Sequence, residues 1–237
     1  MGKVAVVTGG SRGIGLAIAK ALAGEACNVV ISGRKQQTID VAAAELGSEA
    51  SGDGRVLPVE CDIRDNEAVA RMFATVATEF GRLDILVNNA GISQSAMPVH
   101  ETSVELWREI IDTNLTGTFL CTRAAVPLMQ PGATILNIIS VAAREAFAGY
   151  APYNASKAGA LSLSRTLREE LKPSGIRVTA ILPGATDTEI WQQVMPDAPR
   201  DKMIEAASVA KLVLEAVVLS PKANLTELLL DPMTGPM

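Results

Sequence analysis

This sequence predicts a single doubly wound α/β domain, a parallel sheet of about seven strands with helices on both faces. Three observations lead there. Short β-branched runs alternate with longer segments of helical period along the whole chain. The composition is 48% hydrophobic but only 3% aromatic, and a mix dominated by Ala, Val, Ile and Leu suits strands buried under helices on both sides. Finally, 237 residues suffice for one large core.

The strands are expected at residues 4–7, 28–32, 55–61, 83–87, 134–139, 177–181 and 225–230. Helices are expected at 13–26, 35–46, 66–80, 103–129, 153–172 and 208–220, the fourth broken in two. The β-α-β-α succession implies right-handed crossovers. Thr102-Ser103-Val104-Glu105 reads as a capping box before the fourth helix, and Ser174-Gly175 as a stop after the fifth. Residues 47–54, Gly- and Ser-rich, form a surface connection. The Pro-rich stretch that opens residues 183–207 is long enough to be a lid.

Charge and composition exclude several function classes. Against 26 acidic residues stand 21 Lys and Arg, a net charge of -5, which argues against a nucleic-acid partner. No run approaches the length of a membrane span, and no signal peptide is visible, so a cytoplasmic protein is expected. Cys27, Cys61 and Cys121 lie apart in apolar stretches and read as reduced, buried thiols. With a single histidine, His100, neither a zinc cluster nor a Ser-His-Asp triad is expected.

Thr8-Gly9-Gly10-Ser11-Arg12-Gly13-Ile14-Gly15 lies between the first strand and the first helix, where backbone amides at a helix N-terminus bind phosphate. Glycines at 9, 13 and 15 let the chain turn, let an anion approach, and let helix and strand pack closely. Further along, Asn88-Asn89-Ala90-Gly91 follows the fourth strand, and Tyr153-Asn154-Ala155-Ser156-Lys157 opens the fifth helix. T-G-x-x-x-G-x-G, N-N-A-G and Y-x-x-x-K, in this order and on these elements, resemble the short-chain dehydrogenase/reductase family across nearly the whole chain. The resemblance implies a Rossmann-type domain, a nicotinamide dinucleotide cofactor and oxidoreductase chemistry.

Tyr153 is a proton donor for a carbonyl that accepts hydride, provided its pKa falls from about 10. Lys157, one turn on, and the helix N-terminus both favour the phenolate. By resemblance, Ser140 at the end of the fifth strand hydrogen-bonds the substrate carbonyl, and Asn114 helps relay protons through water to the lysine. The expected catalytic set is Asn114, Ser140, Tyr153 and Lys157.

For the cofactor, Gly9, Ser11, Arg12, Gly13, Ile14 and Gly15 form the phosphate loop. The second strand ends Ile31-Ser32-Gly33-Arg34 with no carboxylate to meet ribose hydroxyls, and Arg34 with Arg12 can clamp a phosphate, with Ser32 adding a hydrogen bond. NADP(H) is therefore expected over NAD(H). By resemblance, Asp62 and Ile63 lie beside adenine, while Asn88, Ala90 and Gly91 lie beside the adenosine ribose, with Asn88 mainly structural. Pro183, Gly184, Ala185, Thr186 and Thr188 lie under nicotinamide, where Tyr153 and Lys157 also make contact.

The substrate is expected to be a small carbonyl or alcohol, met by residues 93–97, 141–147, Tyr150 and 190–195. Trp191 and Met195 offer an apolar wall, and Gln94, Arg144 and Gln192 polar contacts. The overall flavour is that of 3-oxoacyl thioester reductases. The chain departs from them at 232–237, which lacks their D-G-G ending. A general ketone, sugar or polyol dehydrogenase, or a non-catalytic NADP-binding sensor or scaffold, is the alternative. The long fourth and fifth helices favour a homodimer or homotetramer.

Overall fold

The computed structural model describes residues 2–220 and 222–235. The expected C-terminal stretch thus loses Pro236 and Met237, which lie outside the described residues. β1 (Val4–Thr8), α1 (Gly13–Gly24), β2 (Asn28–Gly33), α2 (Gln36–Glu49), β3 (Val56–Glu60), α3 (Asn66–Phe80) and β4 (Leu83–Asn88) alternate strictly. Then come α4 (Val104–Ile111), α5 (Gly117–Ala125), β5 (Met129–Ile138), α6 (Ala151–Leu171) and β6 (Arg177–Pro183). β7 (Thr186–Asp187), α7 (Trp191–Val194), β8 (Ile204–Glu205), α8 (Ala206–Val218) and β9 (Glu227–Leu230) complete the chain. The main sheet has the order β3-β2-β1-β4-β5-β6-β9, and each neighbouring pair is parallel. All seven expected strands are in it.

Alternation along β1 shows why both faces need helices. Ala5 and Val7 pack with Ile18 and Leu22 of α1, Ile39 of α2 and Val213 of α8. Val4 and Val6 point the other way, to Met72 and Phe73 of α3 and Cys121 of α5. Successive strand side chains face opposite sides, so a strand apolar at every position is stable only when covered twice. Cys27, Cys61 and Cys121 are free and buried, and behave as the small hydrophobes expected.

The element ends depart from the sequence reading for local reasons. The long fourth helix breaks at a π-turn, Asp112–Thr116, and ends at Ala125 with a short 3-10 turn containing Pro127. β5 starts earlier than expected, at Met129, with a register irregularity that places Leu83 opposite Met129 but Ile85 opposite Thr134. Ser103, not Thr102, caps α4, its hydroxyl accepting from the Leu106 amide at 3.1 Å. α6 begins at Ala151 because Pro152 fits the first turn of a helix. The lid is only partly irregular: β7 and β8 pair Thr186 with Ile204 and Asp187 with Glu205, closing its base.

Arg177, at the start of β6, ties the sheet to α8. Only 7% exposed, its guanidinium donates to the carbonyls of Ala216, Val217 and Leu219 and to the Thr134 hydroxyl. Carbonyls at a helix end have no intrahelical partner, and a cation there satisfies them and opposes the helix dipole. Arg177→Met should therefore lower stability by roughly 2–4 kcal/mol. Urea denaturation reads this as a lower midpoint at constant slope; an unchanged midpoint would contradict it.

Candidate functional site

Because every strand of the main sheet is parallel, all seven end on one edge. The strand order reverses between β1 and β4, and a cleft opens where the outgoing chains diverge. A cavity of about 440 Å³ occupies this edge. At one end lies the glycine loop, with Ser11, Arg12, Gly13 and Ile14 on the cavity wall. α1 begins there without a side-chain cap or an acidic residue in its first turn, so its leading amides are free to meet an anion.

Two glycines are required by close approach. A β-carbon at Gly15 would lie 2.2 Å from the Gly9 carbonyl oxygen. Gly13 has φ +54°, and a β-carbon there would come 3.1 Å from Thr188 of the lid. Gly9 and Gly15 also line the cavity, as do Ser32 and Arg34 from the end of β2 and Asp62 and Ile63 after β3. The Ser32 hydroxyl is fully buried with no hydrogen-bond partner among the described residues. Ala90 and Gly91 line the cavity too, as do Pro183, Gly184, Ala185, Thr186 and Thr188.

The proton-transfer candidates meet at the centre. Ser140 lies two residues beyond β5 rather than on it, and caps a 3-10 turn, Val141–Ala143, with its hydroxyl accepting from the Ala142 amide at 3.1 Å. That turn swings the serine hydroxyl towards the Tyr153 phenol, near enough to act on its proton affinity. Lys157 Nζ sits 5.6 Å from the centre of the Tyr153 ring and donates to the Ile138 carbonyl at 3.4 Å. Ser140, Tyr153 and Lys157 all line the cavity.

The electrostatics correct one expectation. Burial raises the Tyr153 phenol above its usual range, and the Ser140 hydrogen bond only opposes that rise. Lys157, itself almost wholly buried, is pushed down to about 8 by desolvation. The lysine therefore does not drive the phenol to phenolate: its ammonium lies over the ring and is itself penalised by burial.

Asn114, on the π-turn, stands behind this group rather than in the cavity wall. Its side-chain oxygen accepts from the Ile92 amide at 2.8 Å, and its amide nitrogen donates to the Ile92 carbonyl and the Ser156 hydroxyl. A β-carbon at Gly91 would lie 3.2 Å from Asn114 Oδ1 and 3.5 Å from Lys157 Nζ, so the two side chains flank the same glycine.

Elsewhere the structure reassigns residues. Asn88 is buried and points away from the cleft, donating to Thr122 and to Asn137 at 2.8 Å. Its neighbour Asn89 lines the cavity and holds the glycine loop by donating to the Thr8 and Gly9 carbonyls. The alternation of side chains along β4 was the signal for this, since consecutive asparagines must face opposite ways. The Asp62 carboxylate is gripped by Arg64 at 2.6–3.0 Å, which holds it below the usual carboxylate range.

Arg144 is paired with Glu227 instead of facing substrate. Gln94 is buried and donates to the Gly149 carbonyl, and Gln192 is exposed outside the cavity lining. Thr113 and Glu189 line the cavity and were not foreseen; no local motif marks either. Trp191 and Met195 do form part of an apolar wall with Phe147 and Tyr150.

A glycine-rich loop at an uncapped helix start beside a Ser-Tyr-Lys group on a doubly wound sheet agrees with the comparison to known proteins. Residues 3–199 match the family model described as short chain dehydrogenase. The chain belongs to the short-chain dehydrogenase/reductase family. Within it, a 3beta-hydroxysteroid dehydrogenase of Mediterraneibacter gnavus is 36% identical over 228 residues, 96% of this chain and 81% of that protein. A 3-oxoacyl-[acyl-carrier-protein] reductase of Synechocystis is 37% identical over 195 residues, 81% of this chain and 77% of the other. A short-chain dehydrogenase of Burkholderia cenocepacia, solved in complex with NADP, superposes with a TM-score of 0.89 at 33% identity, covering 98% of this chain and 97% of its own.

In this short-chain dehydrogenase/reductase the buried lysine carries a measurable penalty. Its pKa falls from 10.5 to about 8 on folding, a difference that costs about 3 kcal/mol while both states are protonated. The cost is complete below pH 8 and disappears as pH rises from 8 to 10.5. Lys157→Met should thus stabilise the cofactor-free protein at pH 7 by about that amount, with the gain shrinking to nothing near pH 10.5. Urea titrations across this range test it; a gain independent of pH would refute the electrostatic origin.

Proposed function

We propose that this short-chain dehydrogenase/reductase is an NADPH-dependent carbonyl reductase. The observation that carries the reading is the cluster of Ser140, Tyr153 and Lys157 at the centre of a cavity whose far end is an uncapped helix N-terminus. The dinucleotide, when bound, supplies the hydride.

The residues present fit such a cofactor. Ser11, Arg12, Gly13 and Ile14 would hold the diphosphate. The orphaned Ser32 hydroxyl and the exposed Arg34 and Arg12 would take a phosphate on the adenosine ribose, where a carboxylate is missing. Asp62 lies close enough to Arg34 to feel its charge, but its oxygens are engaged by Arg64, so among the described residues no carboxylate is held tightly against Arg34. Ile63, Ala90 and Gly91 would border the adenosine, and Pro183, Gly184, Ala185, Thr186 and Thr188 the nicotinamide. Asn88, turned inward, would support the strand rather than touch the cofactor.

For reduction the raised phenol pKa is an advantage. Tyr153 keeps its proton at neutral pH and donates it to the carbonyl oxygen as negative charge develops there. Ser140 holds that oxygen by hydrogen bonding. Lys157, poised near pH 8, returns a proton to the phenolate, and Asn114 fixes the Ile92 backbone beside the lysine so that this path keeps its shape.

A 3-oxoacyl thioester is the first substrate to test, supported by the likeness to the Synechocystis reductase. A hydroxysteroid-type ketone is the second, favoured by the apolar wall of Phe147, Trp191 and Met195 and by the Mediterraneibacter relative. A homo-oligomer is in keeping with the exposed Val104 and Trp107 on α4 and Phe119 on α5. Among the described residues no helix is long and apolar enough to cross a membrane.

Oxidation of NADPH against a panel of thioesters, ketosteroids, diketones and keto sugars tests the reading. Tyr153→Phe should lower turnover by about 10²–10⁴-fold while NADPH affinity changes little; normal turnover by this variant would remove the assignment. Arg34→Asp should weaken NADPH binding by about 10–100-fold and spare NADH, as measured by fluorescence titration of both cofactors. An unchanged preference would refute the phosphate clamp.

A further inference from the structure

We propose that Glu227 is a positioning residue, a single carboxylate that holds the Ser140 turn and the Tyr153 helix in register. The inference rests on the catalytic reading of Ser140 and Tyr153 given above. Glu227 is the first residue of β9, the edge strand, where it lies opposite Ala180 of β6. Its side chain is only 16% exposed. One oxygen accepts from Arg165 Nε at 2.8 Å, and the other accepts from Arg165 Nη2 at 3.2 Å and from Arg144.

The two arginines come from the two elements that must be aligned. Arg144 closes the Val141–Ala143 turn, with its amide donating to the Val141 carbonyl at 2.8 Å. Ser140 opens that turn. Arg165 lies on α6, about two turns beyond Lys157 and three beyond Tyr153. A carboxylate has room for about four donors, so Glu227 can serve both guanidiniums at once.

Exposed ion pairs contribute little to stability, but the arrangement here has a directional consequence. With Glu227 present, two cations share one anion. Without it, two half-exposed guanidiniums are left facing each other with no anion between them, and the lost tether with their residual, screened repulsion loosens the serine turn from the tyrosine helix. α6 keeps a separate anchor on the same edge, since Arg168 donates to the Val178 carbonyl at 3.1 Å and the Thr226 carbonyl at 2.7 Å. Removing Glu227 should therefore disturb alignment more than folding.

Glu227→Gln should lower kcat by about 10–100-fold, the usual effect of a small misplacement of reacting groups, with the KM for NADPH within about twofold of wild type. Three further readouts separate repulsion from mere loss of structure. Raising salt from 0.05 to about 0.5 M should recover part of the lost kcat by screening. The double variant Glu227→Gln/Arg144→Gln should be more active than Glu227→Gln alone, because it removes one of the opposed charges. In a Ser140→Ala background, Glu227→Gln should cause little further loss.

A measurement without substrate keeps the test independent of the proposed reaction. The chain has two tyrosines, so a Tyr150→Phe protein reports Tyr153 alone by phenolate absorbance. The groups known to face this phenol are Ser140 from the turn and Lys157 from its own helix. Glu227→Gln in that background should raise the titration midpoint of Tyr153, because the Ser140 hydrogen bond that lowers it is loosened. An unmoved midpoint, or a loss of kcat that neither salt nor Arg144→Gln relieves, overturns the proposal. Full activity in Tyr153→Phe would instead overturn the catalytic reading, and the phenol titration would still decide the tether.

Discussion

The site depends on how the chain is held just beyond the paired ends of β1 and β4, where the strand order reverses. Thr8 and Asn89 do this. The Thr8 hydroxyl accepts from the amides of Asn89 and Ala90 at 3.0 and 3.1 Å and donates to the Val87 carbonyl. The Asn89 amide donates back to the carbonyls of Thr8 and Gly9 at 2.9 and 3.2 Å. Backbone groups at a strand end have lost their ladder partners and must be satisfied otherwise. Here that requirement also sets the glycine loop at a fixed height above the sheet, and α1 starts from that loop.

A second layer of polar groups runs beneath the cleft. Asn88 of β4 donates to Asn137 of β5, which donates to Ser164 of α6 at 2.7 Å. Thr122 of α5 joins Asn88 and donates to the Thr118 carbonyl, and Thr118 in turn donates to the carbonyl of Asn114. A buried polar chain is costly unless each member has a partner. Its effect is to lock β4, β5, α5 and α6 together, so that Asn114 and Lys157 meet at Gly91. Rigidity here accompanies an unfavourable feature above it, the desolvated lysine beside the tyrosine, and burial of that pair raises the proton affinity of the phenol while lowering that of the lysine.

The strand and helix pattern was readable because it is local. Period 2 and period 3.6 show in a window of ten residues, and the glycine loop, N-N-A-G and Y-x-x-x-K are each confined to one turn. The boundaries that shifted did so where short-range competition decides: Ser103 outcompeted Thr102 as a cap, and Pro152 started α6 two residues early. Asn88 and Asn89 look equivalent in sequence, and only the direction of β4 separates a structural amide from a loop-holding one. Arg144 read as a free cation because its partner, Glu227, lies 83 residues away.

By itself the sequence determined the doubly wound class, the order of elements along it, and the residue types at the centre of the cleft, since these follow from periodicity and from motifs whose parts are covalently close. Only the tertiary structure decided which side chains share a partner. Thr113, Glu189 and the Arg64 grip on Asp62 lie in no motif, and the Glu227 tether joins an edge strand, a turn and a helix. Such contacts depend on the register of the whole parallel sheet, where each strand reaches its neighbour through a long crossover. Burial, likewise a property of the packed whole, reversed the expected direction for the Tyr153 phenol.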